Sequence, residues 1–130
     1  MNTLLILDDE RILREAFAAY LEDRSWHTIL AASGEEALQI LKTETPAAVL
    51  VDVRLADMSG SEFIRQARRL QPDLAFVIYT GSYEYEIPPD IREFPQVCNR
   101  VFRKPISDVN DLEQEINQTI IQAHSSTKTQ

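Results

Sequence analysis

Apolar residues fall along this chain in two alternating patterns. Short unbroken runs, "TLLIL" at 3–7, "AAVLV" at 47–51 and "DLAFVIY" at 73–79, read as buried strands. "WHTILAA" at 26–32 and the shorter "NRVFR" at 99–103 are further strand candidates. Between the runs, apolar residues recur at helical spacing. Leu13, Ala16, Phe17, Tyr20 and Leu21 do so within 10–23, and Phe63, Ile64, Ala67 and Leu70 do so after residue 59. Ser33 with Glu36, and Ser59 with Glu62, have capping-box spacing and mark two helix starts. A last helix begins near Ser107 or Asp108 and sets Val109, Leu112, Ile116 and Ile120 on one side.

Strands alternating with helices predict βαβ units. The expected class is α/β, a doubly wound five-stranded parallel sheet covered on both faces. Strand order is not visible in this pattern. The stretch 81–98 contains Pro88, Pro89 and Pro95. Pro89 suits the first turn of a helix, and Pro95 stops it near Phe94, so the fourth helix is expected to be short or irregular. One domain over 1–124 is expected, followed by a polar, disordered tail over 125–130.

Charge narrows the partners. A net charge of −8 argues against direct binding to nucleic acid or an anionic membrane, since both require a basic face. Arg65, Arg68 and Arg69 are i, i+3, i+4 neighbours and read as a solvated helix face. No apolar run reaches the length of a membrane span, so no membrane insertion is expected. Cys98 is the only cysteine, which rules out an intramolecular disulfide and fits a reducing compartment. The start, "MNTLLILDDE", lacks the basic and apolar regions of a signal peptide, and a cytoplasmic protein is expected. Gly34, Gly60 and Gly81 are the only glycines, so neither a P-loop nor a dinucleotide fingerprint can be drawn.

In open parallel sheets, ligands bind beyond the carboxyl ends of the strands. Asp8, Asp9 and Glu10 follow the first strand, and Asp52 ends the third. Thr80, Gly81 and Ser82 follow the fourth, and Lys104 and Pro105 follow the fifth. Asp8, Asp9 and Asp52 would repel one another unless a pKa rises or a cation binds. Mg²⁺, which accepts a few carboxylates and keeps its waters, suits them. A phosphoryl group fits between such a cation and Lys104, with the Thr80 hydroxyl and the Gly81 N–H as donors. Asp52 is then a carboxylate nucleophile that forms an acyl phosphate. Each residue alone has a plainer role: Asp9 as a helix cap, Asp52 in an Asx-turn, Thr80 as a strand end, Lys104 as a surface lysine. Their shared placement on four strand ends favours function. Trp26 and Phe76 read as core, and Cys98, His27 and His124 show no partner spacing.

These residues, in "ILDDE" (6–10), "VLVDVRLADMSG" (49–60), "VIYTGS" (77–82) and "VFRKPI" (101–106), resemble the receiver domain of two-component response regulators. The resemblance runs from about Leu4 to about Ala123. It implies a flavodoxin-like strand order 2-1-3-4-5. It makes Asp52 the acceptor of a phosphoryl group from a histidine kinase or histidine phosphotransferase. It implies that Asp8, Asp9, Asp52 and the backbone carbonyl of Arg54 hold Mg²⁺ (or Mn²⁺). Thr80 becomes the switch hydroxyl, Gly81 a backbone donor to the phosphoryl group, and Lys104 its cationic partner, with a cis Lys104–Pro105 bond. Such a module is no enzyme beyond self-catalysed phosphotransfer and autodephosphorylation. It signals by contact with a downstream protein, either as a single-domain regulator or as a phosphorelay shuttle.

The chain departs from the family in three places. Ala56 stands where proline is usual. Val101 stands where an aromatic switch residue is usual, and Phe102, one residue later, should face the other way. Prolines interrupt the fourth helix. These departures keep open an alternative, a phosphorylation-independent interaction domain with the same fold. A hydrolase is disfavoured because Arg54, two residues after Asp52, cannot act as a general base.

Overall fold

The computed structural model describes residues 2–128. Its elements run β1 Thr3–Leu7, α1 Arg11–Glu22, β2 His27–Ala31, α2 Gly34–Ile40, β3 Ala48–Asp52, α3 Gly60–Leu70, β4 Ala75–Thr80, α4 Pro89–Arg92, β5 Val97–Arg103 and α5 Val109–Lys128. The five strands form one parallel sheet in the order β2-β1-β3-β4-β5. This is the doubly wound, flavodoxin-like arrangement expected.

Strand alternation divides the core in two. Leu5, Leu7, Val49, Val51, Phe76 and Ile78 pack with Leu38, Phe63 and Ile64 of α2 and α3. Leu4, Ile6, Leu50, Val77 and Tyr79 pack with Leu21 of α1 and Leu112 and Ile116 of α5. Burial on both faces explains why the three central strands read as unbroken apolar runs. Both serine caps form: Ser33 Oγ accepts the Glu36 N–H at 3.1 Å, and Ser59 Oγ accepts the Glu62 N–H at 3.0 Å, while the Glu36 side chain takes the Ala32 N–H at 2.6 Å.

α4 is a single turn that begins at Pro89, as the prolines predict. Two polar ties hold it and its approach to α3. Arg65 donates to both oxygens of Asp90 at 2.9 and 3.1 Å, and the Ser61 and Tyr85 hydroxyls meet at 3.0 Å.

Two boundaries differ from expectation. β5 begins at Val97, not 99, because Val97 and Cys98 are buried and Val97 already pairs with Phe76. α5 continues to Lys128, so 125–128 are helical where a polar tail was expected; 129–130 lie outside the described residues. Polar composition does not end a helix that lacks a stop signal. No helix among the described residues is long and apolar enough to cross a membrane.

Candidate functional site

The order of the sheet sets β1, β3 and β4 side by side, so their carboxyl ends share one rim. Asp8 follows β1, Asp52 ends β3, Thr80 ends β4, and Lys104 follows β5. All four side chains are buried or nearly so: Asp8 and Thr80 are inaccessible, and only 15% of the Lys104 side chain meets solvent. Asp9 beside them is exposed. Carboxylate oxygens of Asp8, Asp9 and Asp52 lie within 4.8 Å of one another.

Three strand ends use the same local device. Asp8 Oδ1 accepts the Glu10 N–H at 2.9 Å, Asp52 Oδ1 the Arg54 N–H at 3.2 Å, and Thr80 Oγ1 the Ser82 N–H at 3.0 Å. Each closes a turn from residue i to i+2 and fixes one oxygen of its side chain. The Asx-turn at Asp52 and the reactive role are therefore compatible. Asp9 does not cap α1: the N-cap residue is Glu10, and no side chain caps the helix.

Lys104 Nζ lies 3.2 Å from Asp52 Oδ2, 3.4 Å from Asp8 Oδ2 and 3.7 Å from Glu10 Oε1. The peptide bond to Pro105 is cis. Burial pushes the Asp52 carboxyl above the usual range, opposed by the Arg54 N–H and by Lys104. Burial opposes the charge of Lys104, yet Asp52 and Asp8 outweigh it and hold the ammonium above its ordinary value. One fixed cation thus faces two buried carboxylates and a third at the rim. Three convergent oxygen donors fit a hard divalent ion such as Mg²⁺.

The mouth is a cavity of about 490 Å³ lined by Asp9, Glu10, Asp52, Arg54, Thr80, Gly81, Ser82 and Lys104. A hollow of about 510 Å³ at the other end of the sheet, between Pro46 and Asp73, is as large. Volume does not choose between them; the convergent carboxylates and lysine do. A Cβ at Gly81 would meet nothing within 4 Å, so the fold itself does not require glycine there. Gly60 differs, because a Cβ there would sit 2.7 Å from the Asp52 carbonyl oxygen. Its absence lets α3 start directly against the end of β3.

The loop after Asp52 lacks the usual proline but is pinned otherwise. The Asp57 carboxylate accepts the Gly34 N–H at 3.0 Å and the Glu35 N–H at 2.9 Å, at the start of α2. These bonds hold the Asp57 carboxyl below its usual range. Val101 packs on the α2–α3 side, whereas Phe102 is buried on the α1–α5 side, opposite faces as alternation requires. The Arg100 guanidinium stacks 4.5 Å from the Phe102 ring centroid.

Three participants escaped the sequence reading. Tyr79 donates its hydroxyl to Asp8 Oδ2. Arg103 donates to the carbonyls of Ser82 and Tyr85, the latter at 3.0 Å, and so clamps the segment after Thr80. Asp57 is the third. Tyr79 carried a usable signal: a tyrosine inside a wholly apolar strand needs a partner for its hydroxyl.

Known proteins resemble this chain in sequence and in fold. Residues 4–117 match the family described as the response regulator receiver domain. The chain is 28% identical over 123 residues to the response regulator receiver protein CpdR of Brucella abortus, covering 95% of this chain and all of that one. It is 34% identical over 78 residues to the response regulator MprA of Mycolicibacterium vanbaalenii, covering 60% of this chain. The chain spans only about a third of MprA's length (34%). Among solved structures, the response regulator TrrA of Thermotoga maritima, in complex with Mg²⁺-BeF, superposes with a TM-score of 0.79 at 21% identity. That match covers 92% of this chain and 99% of TrrA.

Proposed function

The chain belongs to the response regulator receiver family, and we propose that it accepts a phosphoryl group on Asp52, aided by Mg²⁺ or Mn²⁺, and signals by protein contact. The donor in this reading is a histidine kinase or a histidine phosphotransferase. The observation that carries it is Lys104 Nζ bridging Asp52 and Asp8 beside an open mouth.

An Asp52 carboxylate oxygen forms a bond to phosphorus as the P–N bond of phosphohistidine breaks, and that electron pair stays on the imidazole nitrogen. Asp8, Asp9 and Asp52, with the Arg54 carbonyl, would hold the cation, which supplies charge neutralisation to the phosphoryl oxygens. Lys104 neutralises them from the other side. The Thr80 hydroxyl and the Gly81 N–H stand on the same rim as donors. In the return step water adds to phosphorus, the P–O bond to Asp52 breaks, and the carboxylate is restored with release of phosphate. Arg54 and Ser82 line the mouth through which that water would enter. The chain thus turns over its own phosphoryl group and is not an enzyme toward other substrates.

The test is intact mass after acetyl phosphate with Mg²⁺. A single-phosphoryl adduct on the wild type, absent from Asp52→Asn, is expected. No adduct on the wild type, or an equal adduct on Asp52→Asn, favours the alternative of a phosphorylation-independent interaction domain.

A further inference from the structure

Tyr79 is fully buried, and its neighbours in register are Asp52 on β3 and Phe102 on β5. Its ring packs edge-on against Phe17, with centroids 5.3 Å apart. Packing alone would be met by phenylalanine, and a buried hydroxyl is costly unless bonded. The hydroxyl's partner is Asp8 Oδ2. Asp8 is thereby held from both sides, because its Oδ1 takes the Glu10 N–H at 2.9 Å. The Lys104 ammonium lies 4.7 Å from the Tyr79 ring centroid and 3.4 Å from the same Asp8 oxygen.

We infer that Tyr79 is a positioning residue for the divalent-cation site, acting through Asp8. The inference rests on the cation reading given above. The hydroxyl has two effects on a bound cation. As a donor it draws some charge from the carboxylate, which weakens a ligand. It also shares Asp8 Oδ2 with Lys104 and fixes the orientation of the carboxylate. Without it, Lys104 is the only side-chain partner left on Oδ2 among the described residues, and a cation must break a closer ion pair to reach Asp8. A neutral phenol withdraws little charge, whereas an ammonium competes with a full one, so the second effect prevails. Each carboxylate oxygen accepts more than one bond, so the phenol and a cation need not exclude each other. Groups that orient a metal ligand from behind are typically worth about 10–100-fold in metal affinity.

The experiment titrates Mn²⁺ into the full chain and follows the free ion by electron paramagnetic resonance, with no phosphodonor present. Tyr79→Phe keeps the ring and its contact with Phe17, and its Mn²⁺ dissociation constant should rise about tenfold. A constant within twofold of wild type, whatever the change in thermal stability, overturns the inference and leaves the cation reading standing. Absence of Mn²⁺ binding by the wild type overturns both. A second measurement needs no variant. The Tyr79 hydroxyl proton, protected by its bond to Asp8, should stay visible by NMR when Mg²⁺ saturates the wild type. Its loss on Mg²⁺ addition would show that the cation displaces the phenol, and would also overturn the inference.

Discussion

Lys104 Nζ sits 3.2 Å from Asp52 Oδ2, and the same ammonium reaches Asp8 Oδ2 at 3.4 Å. Two buried carboxylates therefore share one internal cation. Removing it leaves them facing each other. Lys104→Met should lower stability to urea by about 2 kcal/mol in EDTA, less than for a fully buried pair because the lysine is partly solvated. Saturating Mg²⁺ should recover most of that loss. An equal loss in EDTA and in Mg²⁺ would show that the lysine contributes packing rather than charge.

Two glycines should respond differently to alanine. At Gly60 the added Cβ meets backbone, the Asp52 carbonyl oxygen and Val53 Cα, each at 2.7 Å. At Gly34 it meets Met58 Cγ and Sδ at 2.5 Å, part of a side chain that can swing aside. Gly60→Ala should cost about 2–3 kcal/mol and Gly34→Ala less than about 1 kcal/mol, read from urea midpoints. Equal costs would mean that the β3–α3 junction yields as easily as a methionine.

Glu113 ties α5 to the turn before β2. It accepts from Arg24 at 2.6 Å and from the Trp26 indole at 2.8 Å. Burial opposes its charge, but these two donors prevail and hold its carboxyl below the usual range. A depressed folded pKa contributes stability above the unfolded value of about 4.3, lost as pH falls through the folded value. Glu113→Gln should therefore cost about 1 kcal/mol at pH 7, with the difference from wild type vanishing in acid. Trp26 is the only tryptophan, so its fluorescence should report the same titration in the wild type and lose it in the variant.

Arg103 holds the chain after Thr80 by two carbonyls, those of Ser82 and Tyr85. Tyr83 between them is 83% exposed. Arg103→Ala should speed amide hydrogen exchange over residues 82–88 while leaving β1 and β3 unchanged. Arg103→Lys should restore little, since an ammonium lacks the planar fork that serves two acceptors at once. Unaltered exchange in the alanine variant would remove Arg103 from any account of how this segment is held.

Much of this molecule is legible in its residues. Asp8, Asp52, Thr80 and Lys104 could be found because parallel strands bring their carboxyl ends to one rim, so a polar residue ending an apolar run is already placed in space. Ser33 and Ser59 could be found because a cap is local. What stayed hidden depends on partners far along the chain. The Tyr79 hydroxyl meets a carboxylate 71 positions away, and Asp57 bonds N–H groups 23 and 22 positions away. The early start of β5 was hidden because Pro95, just before it, reads as loop, although Gln96 already accepts the Phe76 N–H at 2.8 Å. The extension of α5 was hidden because polar residues carry no periodicity to read.

The strand order also leaves two open margins, β2 and β5. An open margin is a template on which another chain can add a strand and start an aggregate. β5 exposes Asn99 and Arg100, and its two arginines are engaged: Arg100 by Asp111 of α5, and half-buried Arg103 by the carbonyls of Ser82 and Tyr85. A second molecule approaching along β5 would have to desolvate the two arginines or pull them from their partners. The polar and charged positions of this margin thus guard the chain against self-templated assembly at high concentration.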